Sequence, residues 1–318
     1  MTLIPEVIII GGGLAGLSAA VYLGRSKRKT MLIHSGRSMA KWESDVQNYL
    51  GFPDGIDGRD LLTRGHTQVA RFQVEVQEDE IRTLKKEADT FQLQGQQATY
   101  QAKRLLIATG LTHIPPDIPG VKECLGKSLF FCKDCDAYRV QGRRIVIIGQ
   151  NNEAADYALA MLLFSPSVTI ATNGRRPTWN SDHAGWLKEY QVPIRQERIR
   201  LVEHDGGQLR KLLFEQGDPL ELEGAFTTRG DVYHNALAEQ VGASMDTEGE
   251  IVVDASLRTS VTGLYAAGCV TAANCQMIVA AGQGAIAGQA INRDLFEESL
   301  GNHTVPRFGR TPHLSKGS

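Results

Sequence analysis

The sequence predicts an α/β protein built from two Rossmann-like dinucleotide-binding domains, the second inserted into the first. Two strand–turn–helix units, each bent at a glycine turn, start at Val7 and at Arg144. After the second unit, the pattern returns to a short apolar strand ending at Gly268 and a long helix. The N-terminal and C-terminal segments therefore share one domain.

Val7-Ile8-Ile9-Ile10 is an unbroken apolar run leading into glycines, as in a strand buried on both faces. Leu14–Ser26 reads as an apolar-rich helix and Lys29–His34 as the next strand, completing a βαβ unit. A helix is expected from about Arg59 to Phe72, then strands around Val74–Gln77, Ile81–Lys85 and Thr90–Gln94. Arg104–Gly110 closes this block with another apolar strand.

Pro115-Pro116 and Pro119-Gly120 mark a domain junction. The second βαβ unit follows as strand Arg144–Ile148, helix Glu153–Leu163 and strand Ser167–Ala171. Short strands at Arg198–Glu203 and Leu209–Glu215 continue this domain to Ala225–Gly230. Ile251–Asp254, Gly263–Gly268 and a helix over about Met277–Leu300 complete the first. The expected partition is 1–116 with 231–318, and 117–230. The tail Gly301–Ser318 lacks periodicity and is expected to be mobile unless it docks.

A net charge of −2 with 22% charged residues fits a soluble globular chain, and no basic stretch is long enough for nucleic acid. No apolar run reads as a membrane span or signal peptide, so a cytoplasmic location is expected. The five cysteines, at 124, 132, 135, 269 and 275, are an odd number. They read as cytosolic thiols, two of them catalytic candidates, rather than as a disulfide framework.

Gly11, Gly13 and Gly16 form a GxGxxG turn between strand and helix. The first glycine allows the turn, the second lets backbone approach a pyrophosphate, and the third lets helix and strand pack closely. Leu14 and Ala15 belong to the same turn. The acidic residue expected on a ribose is replaced by His34-Ser35-Gly36, where the Ser35 hydroxyl could serve. Ala108-Thr109-Gly110 and the strand ending at Gly268 could both reach one extended dinucleotide. A helix opening at Gln276-Met277-Ile278 would aim its dipole at a flavin ring.

Cys132-Lys133-Asp134-Cys135-Asp136 is a dithiol in a polar setting. A zinc site would need two further ligands, and none is suitably spaced. As a redox pair, one thiolate attacks a disulfide and the other resolves the mixed disulfide. Lys133 and a helix N-terminus would lower a thiol pKa, and Asp136 is placed to act as general acid/base. Spacing alone does not choose which sulfur faces a flavin.

Together, the Gly11–Gly16 turn, Asn48-Tyr49-Leu50-Gly51-Phe52-Pro53, Ala108-Thr109-Gly110, Cys132–Asp136, Tyr265–Gly268, Gln276–Ile278 and Ala281–Gly284 resemble the low-molecular-weight thioredoxin reductases up to about Leu300. The resemblance implies a homodimer with FAD in the split domain, and Asn48 among the residues that hold it. It also implies that Cys135 faces the flavin, Cys132 meets the substrate and Asp136 is the acid/base.

Three positions depart from that family. The second glycine turn reads Gly149-Gln150-Asn151-Asn152, with Asn151 where the middle glycine belongs. The His-Arg-Arg signature for the NADPH 2′-phosphate falls at Thr172-Asn173-Gly174, with Arg175 and Arg176 just beyond. The acid after the Ala-Ala-Gly turn is Cys269, a weak acceptor read here as a small buried residue or an extra thiol. These departures are similar to those of the cyanobacterial thioredoxin-reductase-like enzymes that do not use NADPH, whose diflavin-linked branch carries a second FAD in its place.

The leading reading is therefore a FAD-dependent disulfide oxidoreductase that does not use NADPH and acts on a thioredoxin-like protein or another disulfide. The alternatives are an NADPH-dependent thioredoxin reductase with a degenerate cofactor site, a dithiol oxidase, and a flavin-bound redox sensor. In the sensor reading, Phe308, Arg310 and His313 of the tail could cover a flavin or a dimer neighbour. No ferredoxin-docking face is evident in the sequence.

Overall fold

The computed structural model describes residues 4–228, 230–305 and 307. By its internal contacts the chain divides into two compact units, Met1–Ala40 with Asp60–Leu111 and Tyr233–Ser318, and Lys41–Arg59 with Thr112–Val232. The expected domain boundaries placed Lys41–Arg59 with the first group, whereas these residues pack with the second.

In the first unit, β1 (Val7–Ile10) leads through the glycine turn into α1 (Leu14–Arg25) and β2 (Thr30–His34). Next come α2 (Gly58–Ala70), β3 (Glu75–Glu78) and an antiparallel sheet of β4 (Ile81–Glu87), β5 (Thr90–Gly95) and β6 (Thr99–Ala102). The strand β7 (Arg104–Ile107) returns to the parallel sheet, and β8 (Leu111–His113) leads out of the unit.

The second unit contains β9 (Leu129–Phe130), the single turn α3 (Lys133–Asp136), β10 (Arg144–Ile148), α4 (Asn152–Met161) and β11 (Ser167–Ala171). It continues with α5 (Ser181–Glu189), β12 (Ile194–Arg195), β13 (Ile199–Asp205), β14 (Gln208–Phe214), β15 (Leu220–Glu221) and β16 (Gly224–Thr227). The chain returns along β17 (Asp231–Tyr233), which pairs with β8, and then forms α6 (Ala236–Gln240), β18 (Leu264–Ala266) and α7 (Met277–Gly301).

Each unit holds a five-stranded parallel sheet, ordered β18-β7-β1-β2-β3 in the first and β12-β11-β10-β16-β9 in the second. β1 and β10 are the central strands, so each glycine turn leaves the middle of its sheet at the carboxyl end, where such sheets bind ligands. Val7, Ile8 and Ile9 are fully buried, as are Val146 and Ile147. Burying a side chain of this kind contributes about 1.5–3 kcal/mol, which is why these short runs are strands despite their length.

The helices α1 and α7 pack closely because α7 offers glycines. A Cβ on Gly284 would lie 2.0 Å from the Ala15 carbonyl oxygen, and one on Gly288 would lie 3.0 Å from the Tyr22 Cβ. The expected strand at Ile251–Asp254 is reduced to isolated bridges from Ile251 to Met245 and Thr271. Phe308, Arg310 and His313 lie outside the described residues.

Candidate active site

Two regions carry chemistry: the glycine turn of the first unit and the dithiol of the second. At the turn, Gly11 has φ +121°, and a Cβ there would meet the Ala108 carbonyl oxygen at 2.1 Å. A Cβ on Gly16 would sit 1.9 Å from the Gly11 carbonyl oxygen. Both positions accept only glycine without movement, so β1, the end of β7 and α1 converge on one point.

Helix α1 begins at Gly13, which provides no side-chain cap. The first-turn N–H groups of Leu14, Ala15 and Gly16 therefore remain available to a diphosphate. Around this end, Ala108 N–H donates to the Ile10 carbonyl at 2.8 Å. Thr109 Oγ1 donates to the His234 carbonyl at 2.6 Å, and Gly110 has φ +67°.

His34 ends β2 and its Nδ1 accepts from the Gly36 N–H at 3.0 Å; Ser35 beside it is exposed. Gly268 N–H donates to Gln283 Oε1 at 2.6 Å. Gln276 starts α7 without a side-chain cap, and Met277 and Ile278 form its first turn. Asn48 lies in Lys41–Arg59, which packs with the second unit. The close approaches and the uncapped helix fit a bound dinucleotide.

The second glycine turn is different. Asn151 caps α4 itself: its Oδ1 accepts from the Ala154 N–H at 3.1 Å and from Thr228 Oγ1 at 3.3 Å. Asn152 Oδ1 accepts from the Asn180 N–H at 2.8 Å. Arg175 and Arg176 are exposed on the loop after β11. Gly149 and Arg175 help line a small cleft with Ile148, Gln150, Thr172 and Asn173.

Cys132 and Cys135 form a disulfide with Cα atoms 5.3 Å apart. Cys132 is the cap of α3, its Sγ accepting from the Cys135 N–H at 3.1 Å. Lys133, expected to lower a thiol pKa, instead pairs with Asp134 at 2.7 Å, so its charge is largely matched locally. The adjacent His113 ring stacks on Phe131 at 4.8 Å and its Nδ1 lies 2.5 Å from Asp231 Oδ1.

Asp136 is buried, and Arg139 donates to its Oδ1 at 2.8 Å. Burial pushes its pKa above the usual carboxylate range, against the pull of Arg139. Glu43, which no spacing in the sequence singles out, belongs to the same electrostatic cluster. Burial, followed by the charge of Asp136, raises its pKa to about 7, opposed by Arg139 and His113. Arg139 is three residues from Asp136, but Glu43 joins them through folding of a distant segment, so the sequence offered no local signal for it.

Cys269 is corrected by the structure. It is half-buried and forms a disulfide with Cys275, their Cα atoms 4.9 Å apart. The reading of Cys269 as a small buried residue or an extra thiol therefore does not hold, while Cys124 is a buried free thiol. A turning loop brings together two residues six apart, which the spacing did not signal.

A protein with this paired-sheet fold, an uncapped dinucleotide turn and a CxxC disulfide is a flavin-dependent disulfide oxidoreductase. The family model described as pyridine nucleotide-disulphide oxidoreductase matches residues 5–285, and the chain belongs to that family, within its low-molecular-weight thioredoxin reductases. The chain is 30% identical over 298 residues to the thioredoxin reductase of Treponema pallidum (strain Nichols), covering 90% of this chain and 95% of the relative. The structure of HlmI superposes with a TM-score of 0.89 at 27% identity, covering 94% of this chain and 95% of the other. The thioredoxin reductase of Streptococcus pyogenes MGAS5005 shares the fold, with a TM-score of 0.88, 24% identity and coverage of 93% and 99%.

Proposed function

We propose that this oxidoreductase passes two electrons between FAD and an external disulfide through Cys132–Cys135, and that it draws on a donor other than NADPH. When bound, FAD supplies a two-electron carrier. Gly11, Gly13, Leu14, Ala15 and Gly16 would hold its diphosphate. Ser35, Asn48, Ala108, Thr109, Gly110, Gly268 and Gln276–Ile278 would contact the rest. Cys132 is assigned to the substrate and Cys135 to the flavin, while Asp136 holds and returns a proton at the pair. Burial of Asp136, which favours its protonated form, supports that role.

The donor assignment rests on one observation: Asn151 already accepts at the α4 terminus, where an NADPH diphosphate would need free N–H groups. A second FAD at this turn would meet the same obstacle, and would have to rely on Gly149, Asn152, Arg175 and Arg176. The acceptor is proposed to be a thioredoxin-like protein or a smaller disulfide. A homodimer is proposed from Tyr22 on α1 and Ile286, Phe296 and Leu300 on α7, exposed apolar residues of a kind that marks interfaces.

An anaerobic titration with NADPH, followed by the flavin's visible absorbance, tests the donor assignment. NADPH should leave the band intact while dithionite bleaches it fully. Prompt stoichiometric bleaching by NADPH would overturn the assignment and restore an ordinary NADPH-dependent thioredoxin reductase.

A further inference from the structure

We propose that Cys269–Cys275 is a second thiol–disulfide exchange site, open to small dithiols. The two cysteines lie at opposite ends of a loop whose halves are held unequally. On the Cys269 side, Thr271 is buried and its Oγ1 donates to the Gly268 carbonyl at 2.9 Å. The Ile251 N–H donates to the Val270 carbonyl at 2.9 Å, and Gly268 is fixed by Gln283. On the other side, Ala272, Asn274 and Cys275 are exposed. Backbone hydrogen bonds there are local: Ala273 N–H to Thr271 at 2.7 Å and Gln276 N–H to Asn274 at 2.8 Å.

This asymmetry assigns the two sulfurs. Cys275 is the one an incoming thiolate reaches, and Cys269, on the anchored half, is the one displaced. The segment 268–278 contains no charged residue, whereas Lys133-Asp134 separates the first pair. The loop itself therefore presents no charged side chain to an incoming dithiol. Exposed disulfides are also the more readily reduced ones.

In the exchange, a thiolate of the dithiol attacks Cys275 Sγ, the Cys269–Cys275 bond breaks, and Cys269 leaves and takes a proton. The second thiolate of the dithiol then attacks the sulfur bound to Cys275, closing a cyclic disulfide. Cys275 is released and is protonated. One dithiol is oxidised, one protein disulfide is reduced to two thiols, and two electrons move. Because Cys275 immediately precedes Gln276 at the start of α7, opening the bond removes the covalent tie between that helix and the anchored half of the loop. This site does not depend on the roles assigned to Cys132 and Cys135.

The test uses the full flavin-loaded chain, oxidised in air. It is treated under native conditions with dithiothreitol, stopped with acid, alkylated in denaturant and mapped by peptide mass spectrometry. Labelling of Cys269 and Cys275 should be slight before the dithiol and rise roughly tenfold or more after it, with free Cys124 as the internal reference. Treatment with 2-mercaptoethanol should leave its adduct on Cys275. Full labelling without dithiol, no increase after native dithiol treatment, or an adduct confined to Cys269 would each overturn the proposal.

Discussion

Cys132 and Cys135 differ in their surroundings although only two residues separate them. Cys132 Sγ accepts a backbone N–H at the start of α3, a position that stabilises a thiolate. Replacing either Cys132 or Cys135 with Ser should reduce dithiol–disulfide turnover to background while the flavin absorbance per chain is unchanged. Steady-state turnover measured beside the visible spectrum checks this. Glu43 offers a stability prediction. Its folded pKa is about 7 against an ordinary 4.5, so between these values the folded chain retains a proton that the unfolded chain has lost. This group's contribution to stability is therefore greatest below pH 4.5, falls as pH rises towards about 7, and is constant above. Glu43→Gln should remove a loss of order ~1–3 kcal/mol across that window, seen in urea melts at pH 5 and pH 8. The role of Glu43 was invisible in the sequence because its neighbours Asp136 and Arg139 arrive from another segment.

The legible elements had strong one-dimensional patterns. Val7–Ile10 and Arg144–Ile148 could be read to the residue because a buried central strand is an uninterrupted apolar run. Thr99–Ala102 was missed because this strand is short and polar, held by antiparallel pairing to β5. Ser181–Glu189 was missed because its nine residues, including Gly185, bury only His183 and Leu187. Its Asn180 cap, accepting from the His183 N–H at 3.0 Å, was the available signal. The two glycine turns after β1 and β10 were legible, and so was the loss of the middle glycine in the second. The use to which Asn151 is put was not, because capping is a matter of rotamer. Asn151→Gly should cost a few tenths of a kcal/mol and expose the α4 N–H groups. NADPH should then bind more tightly than to the parent chain, as measured by calorimetric Kd.

At the scale of the whole molecule, the long helix α7 serves two sides. Gly284 and Gly288 let it lie against α1, while Ile286, Phe296 and Leu300 remain exposed. If these residues form the proposed subunit interface, sedimentation should give a particle of twice the 34.8 kDa chain mass. Phe296→Asp combined with Ile286→Asp should return it to one chain mass, because two buried unpaired carboxylates per subunit would oppose association. The domain insertion was legible because the C-terminal strand and helix resume a pattern interrupted at the proline-rich junction. The pairing of Lys41–Arg59 with the second unit was not, since that segment has no periodic element of its own beyond Met39–Trp42.

The contrast between the two glycine turns also bears on how folding responds to ligand supply. A helix terminus that awaits a ligand gains stability as that ligand becomes abundant, by RT ln(1 + [L]/Kd). The start of α1 is of this kind, so the first unit should melt at a higher temperature when FAD is plentiful. The start of α4 supplies its own acceptor through Asn151, and is satisfied in any nucleotide pool. Under flavin scarcity, the start of α1 would therefore be the terminus that frays and meets proteases first, while the start of α4 would not respond to the flavin pool.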